Sequence, residues 1–256
     1  MRKKFLTFGS PLIEEAEINE VKDTLKSGWL GTGPKTKLFE ENFSKYSNAK
    51  YAIGLNSCTA GLHLALDALG VKSGDEIITT PMTFPATTNV IEHVGARPVL
   101  VDIKRNTFNI DEKKIEEAIT SRTKAIMPVH LTGRPCEMDV IVQIAEKYKL
   151  KVIEDAAHAA EAYFKGLKVG SISDVTCFSF YVTKNIVTGE GGMVTTNDKK
   201  LADKIRIRSL HGISKDAWKR FSEEGYSHYE TIYPGFKYNM IDIHEQKGNI
   251  VYNEIN

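Results

Sequence analysis

The chain has 256 residues, 41% hydrophobic and 26% charged, an ordinary soluble composition long enough for one large domain or one and a half. Lysine plus arginine (34) nearly cancels aspartate plus glutamate (33), so no basic surplus points to nucleic acid and no acidic run suggests a disordered tail. Cys58, Cys136 and Cys177 are far apart, odd in number and form no CxxC pair, so neither a disulfide framework nor a zinc site is indicated and a reduced cytosolic protein is the simplest reading.

The opening "MRKKFLTFGSPLIEE" has an apolar run far too short for a signal peptide or a membrane span. A helical arm follows over roughly 12–47, broken at "SGWLGTGP". Gly28 and Gly33 there have P-loop-like spacing, but Pro34 stands at the lysine position and the stretch follows a helix rather than a strand, both of which argue against a P-loop.

From residue 51 a rhythm of apolar run, turn and helical pattern sets in. "YAIGL" leads to "TAGLHLALDAL", "DEIITT" to "TFPATTNVIEHV", and "RPVLVDI" to "DEKKIEEAI". "TKAIMPV" leads to "EMDVIVQIAEKY", and "KVIEDAA" comes next. Near-continuous apolar strands between amphipathic helices predict an α/β fold, a mostly parallel sheet with helices on both faces. "SDVTCFSF" and "GGMVTTN" read as two further strands and "KKLADKIRIRSLH" as a helix, and no GxGxxG opens the first unit.

In such sheets ligands bind at the carboxyl ends of the strands. At the first such end, Asn56, Ser57 and Thr59 open a helix, where they either bind an anion or simply cap the helix. Phe84 follows another strand end, as a stacking ring or as core. Asp155 closes "KVIED" with His158 three residues on. That carboxylate could hold a proton on a heterocyclic nitrogen and the histidine could bond a ring oxygen, or the two could be a turn cap and a core histidine. Lys184 stands between "FSFYVT" and "GEGG", after Ser179. It is either a strand's solvent end or an amine aimed at a ligand, and Gly189, Gly191 and Gly192 either admit that ligand or form a hairpin-like turn. Together these groups match what pyridoxal phosphate requires: an anion cradle, a stacking ring, a carboxylate for the pyridine nitrogen and a lysine for the aldehyde.

The chain resembles the DegT/DnrJ/StrS sugar aminotransferases, fold-type-I pyridoxal-phosphate enzymes. The resemblance runs through "GWLGTGP", "NSCTAGLHLAL", "TPMTFPATTNVI", "RTKAIMPVHLTG", "VIEDAAHA" and "FSFYVTKNIVTGEGG" to "PGFKYNMIDI". It implies that Lys184 forms the Schiff base and moves the proton, and that Asp155 pairs with the pyridine nitrogen. It further implies that His158 lies on the phenolic-oxygen side, that Phe84 stacks, and that Ser57, Thr59, Ala60 and Ser179 hold the phosphate. Asn239 would reach the neighbouring subunit's cofactor in a cytoplasmic homodimer. The implied reaction moves the amino group of glutamate to a nucleotide-linked keto-sugar for cell-surface polysaccharide or lipopolysaccharide. The "EDAAHA", "KNI" and "GFKYN" variants are most similar to the branch acting at C4 of UDP-linked sugars. The resemblance divides the chain into an arm (1–50), a cofactor-binding large domain (51–243) and an aberrant tail (244–256). "HEQKGNIVYNEIN" stands where the family continues into a small C-terminal domain, so a truncated chain, or a non-catalytic cofactor-binding remnant, is the alternative expectation.

Overall fold

The computed structural model describes residue 5, residues 9–214 and residues 230–244. Beyond 244, the tail assigned above lies outside the described residues.

Two helices come first, α1 (Glu15–Ser27) and α2 (Pro34–Tyr46). Glu14 and Glu17 form a reciprocal capping box that starts α1, and Gly28, in the left-handed region at φ 72°, ends it. Pro34 opens α2 with its φ already suited to a helix, but Gly33 before it has no side chain to cap with. The cap comes from Asp242, which is 2% exposed. Its carboxylate accepts from the backbone N–H groups of Gly33, Lys35 and Thr36 and from the Thr36 hydroxyl.

The body alternates β1 (Tyr51–Leu55), α3 (Cys58–Ala68), β2 (Glu76–Thr79), α4 (Ala86–His93), β3 (Arg97–Leu100), β4 (Thr123–Ile126), α5 (Met138–Tyr148) and β5 (Lys151–Asp155). A two-stranded hairpin of β6 (Tyr163–Phe164) and β7 (Leu167–Lys168) follows, then β8 (Val175–Ser179), β9 (Gly192–Thr196) and α6 (Lys199–Ser209). The large sheet has the order β1-β9-β8-β5-β4-β2-β3, and β9 alone runs antiparallel to its neighbours. The stretch 111–119, expected as a helix, instead makes two 3-10 turns at Glu112–Lys114 and Glu116–Ala118. A three-residue repeat keeps Ile115 and Ala118 on one side, where both pack on the core.

Consecutive strand residues belong to opposite cores, which is why the strands read as unbroken apolar runs. Ile77, Ala125, Ile153, Cys177 and Val194 meet α3, α4 and α6. Their neighbours Ile78, Ile126 and Val152 meet α5. Phe178 and Met193 meet α2, where Phe39 and Phe43 pack edge-on and tilted against Phe178 and Phe180. Among the described residues no helix is long and apolar enough to cross a membrane, and no cluster of side chains has the makings of a metal site.

Candidate active site

The strand ends supply the polar groups. β5 runs through buried Val152 and Ile153 and stops at Asp155, 5% exposed. The backbone holds this residue on both sides: its N–H donates to Pro128 O at 2.9 Å and its carbonyl accepts from His130 N–H at 3.0 Å. The carboxylate Oδ2 accepts from the Thr87 hydroxyl at 2.7 Å, and Oδ1 from the Ala157 N–H at 3.2 Å. Burial pushes this carboxyl above the usual aspartate range, and those two bonds together with His130 and His158 pull it back only in part. One residue earlier, Glu154 points to the other face of the strand. It meets His130 Nε2 at 2.7 Å and accepts from the Thr176 hydroxyl at 2.8 Å, inside a fully buried pair.

Lys184 lies in the connection 180–191 between β8 and β9. That connection is pinned by Phe180 N–H to Gly191 O and by Thr188 N–H to Phe180 O, both 2.9 Å, and the Lys184 N–H itself donates to Tyr181 O. The Lys184 amine reaches to 2.7 Å from His158 Nε2. Burial lowers the lysine's pKa, and the nearby Cys58 and Asp155 oppose that only partly. His158 is lowered by burial and then by the positive charge of Lys184. Next to this contact, Asn185 Nδ2 donates to Glu161 Oε2 at 3.2 Å, tying the loop to the turn after β5 a second time.

Gly192 brings the remaining groups to the same edge. In register it faces Leu55 on one side and Ser179 on the other, so the ends of β1 and β8 flank it. A Cβ at this position would stand 2.3 Å from the Ser57 carbonyl carbon and 2.4 Å from the Cys58 nitrogen, so only glycine lets the start of α3 sit on the sheet. Ser57 caps α3, its Oγ accepting from the Ala60 N–H at 3.1 Å, and the exposed Thr59 lies in the first turn. The capping reading is therefore realised for Ser57, at a helix end whose positive dipole points out of the sheet. Asn239 forms a bridge with Leu55, and its side-chain amide donates to the Thr32 hydroxyl at 2.7 Å and accepts from Lys237. Asn56 N–H donates to Tyr238 O at 2.8 Å. Phe84, 77% exposed, sits just before α4, its carbonyl accepting from the Thr87 N–H.

Lys184, His158 and Asp155 thus form one group; Ser57 and Ser179 lie against Gly192, and Thr59 and Ala60 follow Ser57 in the first turn of α3. Thr83, Thr87 and Cys58 were not singled out from the sequence as site residues. The threonines stand four apart across the entry to α4, a spacing that puts them on one side of a helix, and that is the one signal the sequence carried. Cys58 is a buried thiol pushed up by burial and by Asp155. Its type gave no hint that its neighbours would be Asp155 and Lys184.

The model of the DegT/DnrJ/EryC1/StrS aminotransferase family matches residues 11–248. An uncharacterised protein of Methanocaldococcus jannaschii, MJ1066, is 61% identical over 248 residues, 97% of this chain and 64% of that protein. The spore coat polysaccharide biosynthesis protein SpsC of Bacillus subtilis is 53% identical over 247 residues, 96% of this chain and 64% of that protein. The solved structure of the putative sugar aminotransferase Spr1654 of Streptococcus pneumoniae in its PLP form superposes with a TM-score of 0.89 at 40% identity, covering 97% of this chain and 66% of that one. The chain therefore spans just under two thirds of the length of these relatives. With the family model matched from residue 11 to residue 248, the chain belongs to the DegT/DnrJ/EryC1/StrS aminotransferase family.

Proposed function

We propose that this chain binds pyridoxal 5'-phosphate at the open ends of β1, β5 and β8. There it transfers the amino group of glutamate to a keto group on a nucleotide-linked sugar, for cell-surface polysaccharide in the cytoplasm. The observation that carries the reading is one convergence: in the connection after β8, a half-buried lysine amine of lowered basicity meets His158 near the buried carboxylate that ends the neighbouring β5. The printed roles of relatives, a spore coat polysaccharide protein and a sugar aminotransferase, support the substrate class.

The residues fit the cofactor. Residues 51–243 would form its domain, with 1–50 as the arm. Asp155 is buried, ionisable and braced on both oxygens, as the partner of a pyridine nitrogen must be. The α3 N-terminus with Ser57, Thr59, Ala60 and Ser179 would take the phosphate, and the uncovered ring of Phe84 would stack. When bound, the cofactor supplies the electron sink for a carbanion at the amino-bearing carbon. Lys184 would attach the cofactor's aldehyde carbon through its amine and afterwards move the proton at the reacting carbon. Its lowered pKa keeps a larger neutral fraction of the amine near pH 7 than an ordinary lysine has. His158, 2.7 Å from that amine, would orient it and would donate toward the phenolic oxygen side. Asn239, bridged to Leu55 at the end of β1, would serve the partner subunit's phosphate in a homodimer.

Mixing the purified protein with pyridoxal phosphate and then with glutamate tests this. A visible absorbance band that glutamate bleaches supports the proposal. A band that glutamate leaves unchanged marks binding without turnover. No band, with Lys184→Ala indistinguishable from wild type, overturns the cofactor reading.

A further inference from the structure

Resting on the role of Asp155 proposed above, we infer that Thr87 is its positioning residue, a hydroxyl whose single proton is directed onto Asp155 Oδ2 by Thr83 behind it. Thr87 is fully buried, in the first turn of α4, and its Oγ1 stands 2.7 Å from Oδ2. An ionised carboxylate can only accept, so Thr87 is the donor. A hydroxyl has one proton, and with that proton committed the 2.6 Å contact between Thr83 Oγ1 and Thr87 Oγ1 must be donated by Thr83. The result is a chain of two hydrogen bonds with one direction, Thr83 to Thr87 to Asp155, in which each bond polarises the next.

The geometry gives this chain a purpose that packing alone does not. The Ala157 N–H holds Oδ1 from the strand side and Thr87 holds Oδ2 from the helix side, so the plane of the carboxylate is set by two elements. Thr87 is β-branched, which stiffens its χ1 where a serine would turn freely. The other titratable groups facing Asp155 are His130, His158 and Lys184, Cys58 at the start of α3, and Cys177 opposite it on β8. Among the described residues, only Thr87 and Ala157 hydrogen-bond to the carboxylate. Burial favours the protonated acid, and the Thr87 bond is the largest influence opposing it.

Two NMR measurements on the full chain test the inference. In the protein without cofactor, carboxyl-labelled aspartate reports the titration of Asp155, with Asp155→Asn identifying the signal. Thr87→Val removes a donor to the charged form and should move that titration upward by roughly one pH unit. Thr87→Ser, which keeps the hydroxyl, should return most of the shift. Thr83→Ala should give a smaller shift in the same direction, and it carries the test if Thr87→Val does not fold. An unchanged titration in Thr87→Val, or a serine variant that moves as far as the valine, overturns the role. An unchanged Thr83→Ala overturns the directed chain. With pyridoxal phosphate labelled by ¹⁵N in the ring, Thr87→Val should lower the protonated fraction of the ring nitrogen and Asp155→Asn should abolish it. A ring that stays protonated in Asp155→Asn overturns the proposed role of Asp155 itself, whereas the titration without cofactor judges Thr87 separately.

Discussion

Two nitrogens 2.7 Å apart, Lys184 Nζ and His158 Nε2, share a hydrogen bond only if one of them has given up a proton. Both pKa values are lowered, so their neutral forms gain population as pH rises toward and past neutrality. The sign of the resulting prediction is fixed. Attack on an aldehyde needs the neutral amine, so reductive trapping of pyridoxal phosphate at Lys184 should rise with pH, with a midpoint below that of the chain's surface lysines. Peptide mapping after borohydride reduction at a series of pH values checks this; labelling spread evenly over the lysines at every pH would contradict it. At this scale the sequence placed Asp155 at the end of its strand, whereas Lys184, read alone as a strand's solvent end, lies in the connection beyond β8 and took on meaning only beside Asp155 and His158. Thr87 was not readable, because a buried threonine looks the same in sequence whether it fills a helix turn or aims a proton.

Elements meet at this site through caps and close approaches. The N-terminus of α2 is capped by Asp242, more than two hundred residues later, in the segment that also supplies Asn239. "GWLGTGP" and "GFKYNMID" were separate signatures in the sequence. In space they form one knot: Asp242 receives the α2 amides, its N–H donates to Gly31 O at 3.0 Å, and Asn239 donates to Thr32. Asp242→Ala leaves three backbone N–H groups without their acceptor at a nearly dry site. The expected loss is about 3 kcal/mol, seen as a lower denaturant midpoint in chemical unfolding, with Asp242→Asn recovering part of it. The seven strands of the large sheet could be read from their apolar runs, and four of them, β1, β2, β4 and β9, are followed by the helices α3, α4, α5 and α6, whereas the short β6–β7 hairpin was not read. The reversal of β9 could not, because an apolar run carries no direction. The stretch 111–119 misled because a three-residue and a four-residue repeat differ little over nine residues.

For the whole molecule, the α/β reading and the covered faces followed from composition and rhythm. The way distant segments are fastened did not. Glu40 on α2 is 8% exposed, accepts two hydrogen bonds from Arg206 on α6 and a third from the Gly54 N–H of β1. The consecutive α2 and β1 and the distant α6 are thereby joined at one carboxylate, and nothing in their local sequence announces it. β1 has the same character. Among the described strands it comes first in the chain, yet it sits at the edge of the large sheet, where its strand partner is β9, Tyr51 opposite Thr196. On the ribosome, then, β1 emerges with its apolar residues and has no strand to join until nearly 150 further residues have left the tunnel. Stalled nascent chains carrying residues 1–190 should be cut by protease within 51–55. Chains in which Thr196 and Asp242 are both clear of the tunnel should resist, so this sheet edge closes only once β9 has emerged to pair with β1.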